Sequence, residues 1–236
     1  MTPTPKAPHL RRIRALSERL RQQGADLGLV TQNVDLFYYV GSLPKAVLMV
    51  APSGRYLVAV TKGLERARQE STLPSDGFVA MSSYRQLPEV AQRIGVEAPK
   101  TVGLEMDVLP MALGERLLRG WPEAEAVDVS MAIRKARSVK DPCEIASMDK
   151  AAQRLREVFR RAGEWIRPGR TELEVVADLE QFMRVSGHQG ILRMRGFNAE
   201  LYYGALGTGR STGHEHAFDG PVGVAGLYPA VPQFCG

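Results

Sequence analysis

Between residues 27 and 129, six short apolar runs alternate with stretches of helical periodicity, and this alternation limits the fold more than any other feature of the chain. The runs cover residues 27–31, 45–50, 55–60, 78–81, 101–105 and 126–129. Two of them, 45–50 and 55–60, are joined by Ala51-Pro52-Ser53-Gly54, a hairpin signal with a four-residue turn. Helical patterns occupy 64–69, 87–94 and 111–118. Ahead of them Leu10, Ile13, Leu16 and Leu20 recur at helical spacing, and Gln23-Gly24 ends that helix. The succession predicts a layered α/β domain with a mixed sheet, ending near Arg137.

Composition narrows the function classes. A net charge of +5 is mild for 236 residues. The early arginines, Arg11, Arg12, Arg14, Arg19 and Arg21, read as the solvated face of the first amphipathic helix rather than as a nucleic-acid patch. No apolar run reaches membrane-spanning length, and the first eight residues are proline-rich without the apolar core of a secretory signal. Cys143 and Cys235 match no metal-binding or redox spacing, so a reducing cytoplasm is expected. No glycine-rich phosphate loop follows any strand of the first domain, and that domain shows no catalytic constellation.

A second region opens at residue 138. Asp141 is placed as a helix N-cap, with Pro142 at the first helical position and Glu144 three residues past the cap. Ile145, Met148, Ala152, Leu155, Phe159 and Ala162 then share one face. Pro168-Gly169 marks a turn, and Thr171-Glu172-Leu173-Glu174 reads as a capping box. It starts a helix through Leu173, Val176, Leu179 and Met183 that stops at Ser186-Gly187. Short β-like pieces follow at 191–195 and 201–206, before a glycine-rich tail.

That tail carries His214-Glu215-His216. In an extended strand both imidazoles face one side and could reach one metal ion, with Asp219 as a third ligand. One histidine could instead orient substrate or handle a proton. A surface loop without chemistry is the third reading. Cys143 lies in the first turn of a helix, where a thiol can be activated, but no histidine is near in sequence. Ser211 sits in a G-x-S-x-G spacing, yet the glycines and proline that follow cannot form the helix a nucleophile elbow needs.

Read together, these segments resemble the pita-bread metallopeptidase superfamily of creatinase, prolidase, aminopeptidase P and methionine aminopeptidase. Arg134 and Lys140, with Asp141-Pro142-Cys143-Glu144-Ile145, resemble its R-x-x-K-x-x-x-E-I entry. Residues 166–172 are similar to its I-x-P-G-x-T-E turn. Phe197-Asn198-Ala199, and Gly209 with His216 seven residues on, resemble its histidine-bearing strand. Residues 33–41 are similar to the N-x-x-Y-x-x-G segment of the creatinase-type N-terminal domain.

The resemblance implies two domains: 8–137, an α/β creatinase-type domain with a mixed sheet, and 138–236, the first half of an α+β pita-bread catalytic domain. It implies hydrolysis of a peptide or small amide near an N-terminus, often next to proline, by water held between two divalent metal ions (Mn, Co or Zn). The family's five ligands follow the strand matched here by His216. The resemblance therefore gives His216 a catalytic place beside the metals, His214 a weaker substrate-binding place, and this chain no metal ligand of its own. By the same resemblance the 236 residues alone are expected to bind no metal pair and to be inactive, with strand edges and an apolar face left exposed. A homodimer is implied as well, with no nucleic-acid or membrane partner. The alternative from a different class is a metal-free pita-bread module that binds a partner.

Overall fold

A computed structural model describes residues 7–196, 200–201 and 206–213. The chain divides into two units, one of residues 1–141 with 195–198 and one of 142–194 with 199–236.

The first unit runs α1 (Ala7–Gln22), β1 (Leu27–Val30), α2 (Asn33–Val40), β2 (Lys45–Val50), β3 (Tyr56–Lys62), α3 (Leu64–Glu70), β4 (Phe78–Ala80), α4 (Leu87–Arg93), β5 (Thr101–Leu104), α5 (Met111–Leu118), β6 (Glu125–Asp128) and α6 (Ser130–Ser138). Its strands form one mixed sheet in the order β4-β3-β2-β1-β5-β6. β2 is antiparallel to both neighbours, while β3–β4, β1–β5 and β5–β6 are parallel. Five of the six strands therefore point the same way. The 45–60 hairpin closes as predicted: Gly54 N donates to Ala51 O at 3.0 Å and Ala51 N to Arg55 O at 2.9 Å. Gly54 takes φ of 87°, which a side chain would strain.

Alternate strand residues feed two cores, one on each face. Val30, Leu48, Val50, Val58 and Val60 join Ile13, Leu16 and Leu20 of α1, Leu36, Tyr39 and Val40 of α2 and Ile133 of α6. Leu27, Leu29, Val47, Met49, Leu57 and Ala59 join Leu87 and Val90 of α4 and Leu117 of α5. A sheet covered on both faces explains why the strands read as continuous apolar runs rather than as alternating ones. Gly28 and Gly103 are register partners on β1 and β5. A Cβ at Gly28 would meet Leu20 at 2.7 Å, and one at Gly103 would meet Val129 at 2.6 Å, so both glycines let their neighbours approach the sheet.

The structure adds two helices that the sequence patterns left unassigned. α2 has strand-like composition, but the Gln32 side chain accepts from Val34 N and Asp35 N, and Gly41 closes the helix in the left-handed region. α6 is set by the burial of Ala132 and Ile133 against the first core. Arg12 departs from the expected solvated face. Its side chain is only 10% exposed, it donates to Tyr38 O at 2.9 Å and to Asp141 Oδ2 at 2.8 Å, and its guanidinium lies 4.3 Å from the Tyr38 ring centre.

In the second unit α7 (Pro142–Trp165) and α8 (Glu172–Val185) form a helix pair. The capping box is present in full: Thr171 Oγ1 accepts from Glu174 N at 3.2 Å, and Glu174 Oε2 accepts from Thr171 N at 2.9 Å. The predicted stop holds too, with Gly187 at φ 95° and His188 N donating to Met183 O at 2.9 Å. Trp165 and Phe182 pack at 5.6 Å between ring centres, and Arg161 lies over both rings. The expected apolar face of α7 is present but not covered: Ile145, Met148, Leu155 and Phe159 are 49%, 56%, 51% and 71% exposed. β7 (Leu192–Arg193) pairs antiparallel with β8 (Glu200–Leu201). Ser211 falls in a 3₁₀ turn, Gly209–Gly213, which is not the strand-to-helix turn of a nucleophile elbow.

Candidate functional site

β1 and β5 end side by side, and the residues just past their ends meet. Glu105, buried behind β5, accepts from Thr31 N at 2.7 Å and Gln32 N at 3.0 Å through Oε2. This ties the loop that leads into α2. Glu105 Oε1 meets no N–H or hydroxyl donor, and the carboxyl group lies in hydrogen-bonding range of Asp35, which is fully buried. Two carboxylates cannot share such a contact unless one keeps its proton. Burial, and then the bond to Asp35, push Glu105 well above the ordinary carboxyl range. Glu105 is therefore the protonated member.

Asp35 faces two guanidinium groups. Its Oδ1 accepts from Arg137 Nη1 at 2.7 Å and its Oδ2 from Arg195 Nε at 2.5 Å. Arg195 belongs with the first unit and continues to Asp107, with Nη2 at 2.9 Å from Oδ1 and Nη1 bonded to Oδ2. That bond holds the Asp107 carboxyl below its usual range. Tyr38 packs edge-on against Tyr39 and donates to Ala136 O at 3.1 Å. The guanidinium of Arg137 lies 5.9 Å from its ring centre. The cluster thus fastens α2 to α6 and to the ends of β1 and β5. It also holds one proton in a buried carboxyl pair.

The arginine three residues before Lys140 is Arg137, not Arg134, and it is Arg137 that reaches Asp35. The sequence reading placed the motif on the wrong arginine. It also missed Asp35, Glu105 and Arg195. The available signals were an aspartate inside an apolar stretch and a glutamate closing an apolar run, neither of which names a partner more than 70 residues away.

The predicted site residues His214 and His216 lie outside the described residues, as do Glu215, Asp219 and Cys235. Cys143 is half-buried in the first turn of α7. Among the described residues no three of His, Cys, Asp or Glu converge to hold a metal ion. In the cluster, Asp35 is committed to Arg137 and Arg195, and Asp107 to Arg195. The described donor set does not fit a metal pair. No helix among the described residues is long and apolar enough to cross a membrane.

A mixed sheet with helices on both faces and a buried polar cluster at the strand ends defines an α/β domain of known kind. The chain belongs to the Creatinase/Prolidase N-terminal domain family, whose profile matches residues 12–139. It is 25% identical over 178 residues to an Xaa-Pro dipeptidase of Pyrococcus horikoshii, covering 75% of this chain and 48% of that protein. Among solved structures, an Xaa-Pro dipeptidase from Bacillus anthracis superposes with a TM-score of 0.67 at 23% identity, covering 77% of this chain and 50% of that one. Dipeptidase PepE from Mycobacterium ulcerans gives 0.66 at 23% identity, covering 80% and 52%. At these identities the superpositions show the fold. The chain spans about half the length of the relatives it matches.

Proposed function

We propose that this chain is the N-terminal portion of a metal-dependent peptidase that hydrolyses bonds beside proline near a peptide N-terminus, acting in the cytoplasm. The observation that carries the reading is that likeness to an Xaa-Pro dipeptidase extends over 178 residues, beyond the 12–139 stretch of the N-terminal family. In this reading 8–137 is the creatinase-type domain and 138–236 the first half of the catalytic domain. His216 contacts substrate or the tetrahedral intermediate, and His214 has a lesser place at the substrate. The metal pair (Mn, Co or Zn) supplies an activated water once bound, by residues other than those described here. The 236 residues alone do not turn over substrate. The whole protein forms a homodimer.

The exposed face of α7 supports a second reading as well, a metal-free module that uses Ile145, Met148, Leu155 and Phe159 to bind a partner. Calorimetric titration with Mn²⁺ separates the two. The peptidase reading expects two sites on the whole gene product and none of comparable affinity on residues 1–236. Metal-free behaviour of the whole product would leave the binding module.

A further inference from the structure

At the carboxyl ends of β3 and β4 the first unit carries an open cleft of about 320 Å³. Lys45, Lys62, Arg85, Arg116 and Arg119 line it, and no carboxylate does. Among the described residues none of the five takes part in an ion pair. Elsewhere on this surface arginines find carboxylates three or four residues away, as Arg21 does with Glu18 and Arg66 with Glu70. The cleft concentrates positive charge instead.

The backbone holds the cations there. Lys45 at the start of β2 and Lys62 at the end of β3 are direct register partners, an arrangement that opposes like charges and is unfavourable by itself. The register then slips, so that Ala46 pairs with Val60 and Thr61 is the extra residue of a bulge. Thr61 Oγ1 donates to Lys45 O at 2.9 Å and locks the bulge. Bulges at sheet ends commonly re-aim side chains beside a site. Arg85 arrives from the 3₁₀ turn Tyr84–Gln86, which is fixed by the capping box of Ser83 and Gln86. Arg116 comes from α5, with its guanidinium 5.5 Å from the Tyr84 ring centre, and Arg119 caps that helix.

The rest of the lining is hydroxyl: Thr61, Ser82, Ser83 and Tyr84. Clefts that take drug-like organic molecules are mostly apolar, and this one has no aliphatic residue in its wall. Arginine and lysine beside hydroxyl donors match the oxygens of phosphate, and a single carboxylate would neutralise only one of five charges. By analogy, open α/β sheets take ligands outside the carboxyl ends of their strands. We propose that this cleft binds a compact polyanion carrying two or more phosphate groups, held by side-chain cations rather than by a glycine-rich loop. The inference is independent of the peptidase reading.

Calorimetric titration of the 236-residue chain with inorganic tripolyphosphate tests it. Saturable one-to-one binding is expected, weakened about tenfold or more by Arg85→Ser with Arg116→Ser, as loss of charge-assisted hydrogen bonds should give. It should also weaken as salt rises. Arg14→Ser, an exposed arginine on α1 outside the cleft, should leave it unchanged. All five cleft side chains are exposed, so thermal melts of the variants should match wild type, and Lys62→Gln provides an independent variant of the same cleft. The proposal is overturned by absence of saturable binding, by equal weakening in Arg14→Ser, or by orthophosphate or a polyglutamate peptide binding as tightly as tripolyphosphate.

Discussion

Arg195 Nε donates to Asp35 Oδ2 at 2.5 Å, so a residue from late in the chain is fastened to the first turn of α2. Asp35 is fully buried and also holds Arg137, which makes one carboxylate the shared anchor of two cations. Asp35→Ala should therefore destabilise the first unit by about 3 kcal/mol, because it leaves Arg137 without its counter-charge and Arg195 with Asp107 alone. Urea unfolding of the variant checks this. A loss below about 1 kcal/mol would show that the pairings do not persist in solution.

Glu105 carries its own test. If it is protonated in the folded protein, Glu105→Gln preserves both the acceptor for Thr31 N and Gln32 N and a donor to Asp35. That variant should stay within about 1 kcal/mol of wild type, whereas Glu105→Ala should lose roughly 2–4 kcal/mol by orphaning two backbone donors and leaving a cavity. Equal losses in the two variants would refute a protonated Glu105.

His9 gives a pH dependence with a definite sign. It is buried, and Thr72 Oγ1 lies 2.6 Å from Nδ1. Burial, and then the charge of Arg12, lower its pKa from 6.5 to about 4, with Asp141 opposing. Between those values the unfolded chain binds more protons than the folded one. Its contribution is thus complete above pH 6.5, fades as pH falls, and declines no further below about 4. The span corresponds to roughly 3 kcal/mol. His9→Gln should flatten that part of the stability-versus-pH curve, measured by denaturant titration from pH 7 to 4. An unchanged slope would remove His9 as its source.

The capping box predicts a local effect in the second unit. Thr171→Ala removes the acceptor for Glu174 N and should cost about 1 kcal/mol, with amide exchange speeding first in the opening turn of α8. Protection unaltered in that turn would mean that burial of Val175 and Val176 holds the helix start instead.

Where a short stretch decides the structure, the sequence was readable. The strand runs stood out because both faces of the sheet are buried, and Thr171 with Glu174 announced α8 because a capping box is a four-residue signal. α2 was not readable: Val34, Phe37, Tyr38 and Val40 have strand-like preferences, overridden by the Gln32 cap and by burial of Leu36 and Tyr39. Arg12 was misjudged for a similar reason, since periodicity says nothing of a partner 129 residues away. The carboxyl pair is likewise a long-range contact with no spacing rule. The two histidines that drew attention in the sequence lie outside the described residues, so their roles rest on experiment.

The most direct test is hydrolysis of Xaa-Pro dipeptides by the whole gene product loaded with Mn²⁺, compared with His216→Ala and with residues 1–236 alone. Turnover by the whole product is expected, with a fall of about a hundredfold or more in His216→Ala at unchanged melting temperature, the range for loss of one group that acts on the transition state. No turnover is expected from the 236 residues alone. Full activity in His216→Ala, or equal turnover by residues 1–236, would contradict the account.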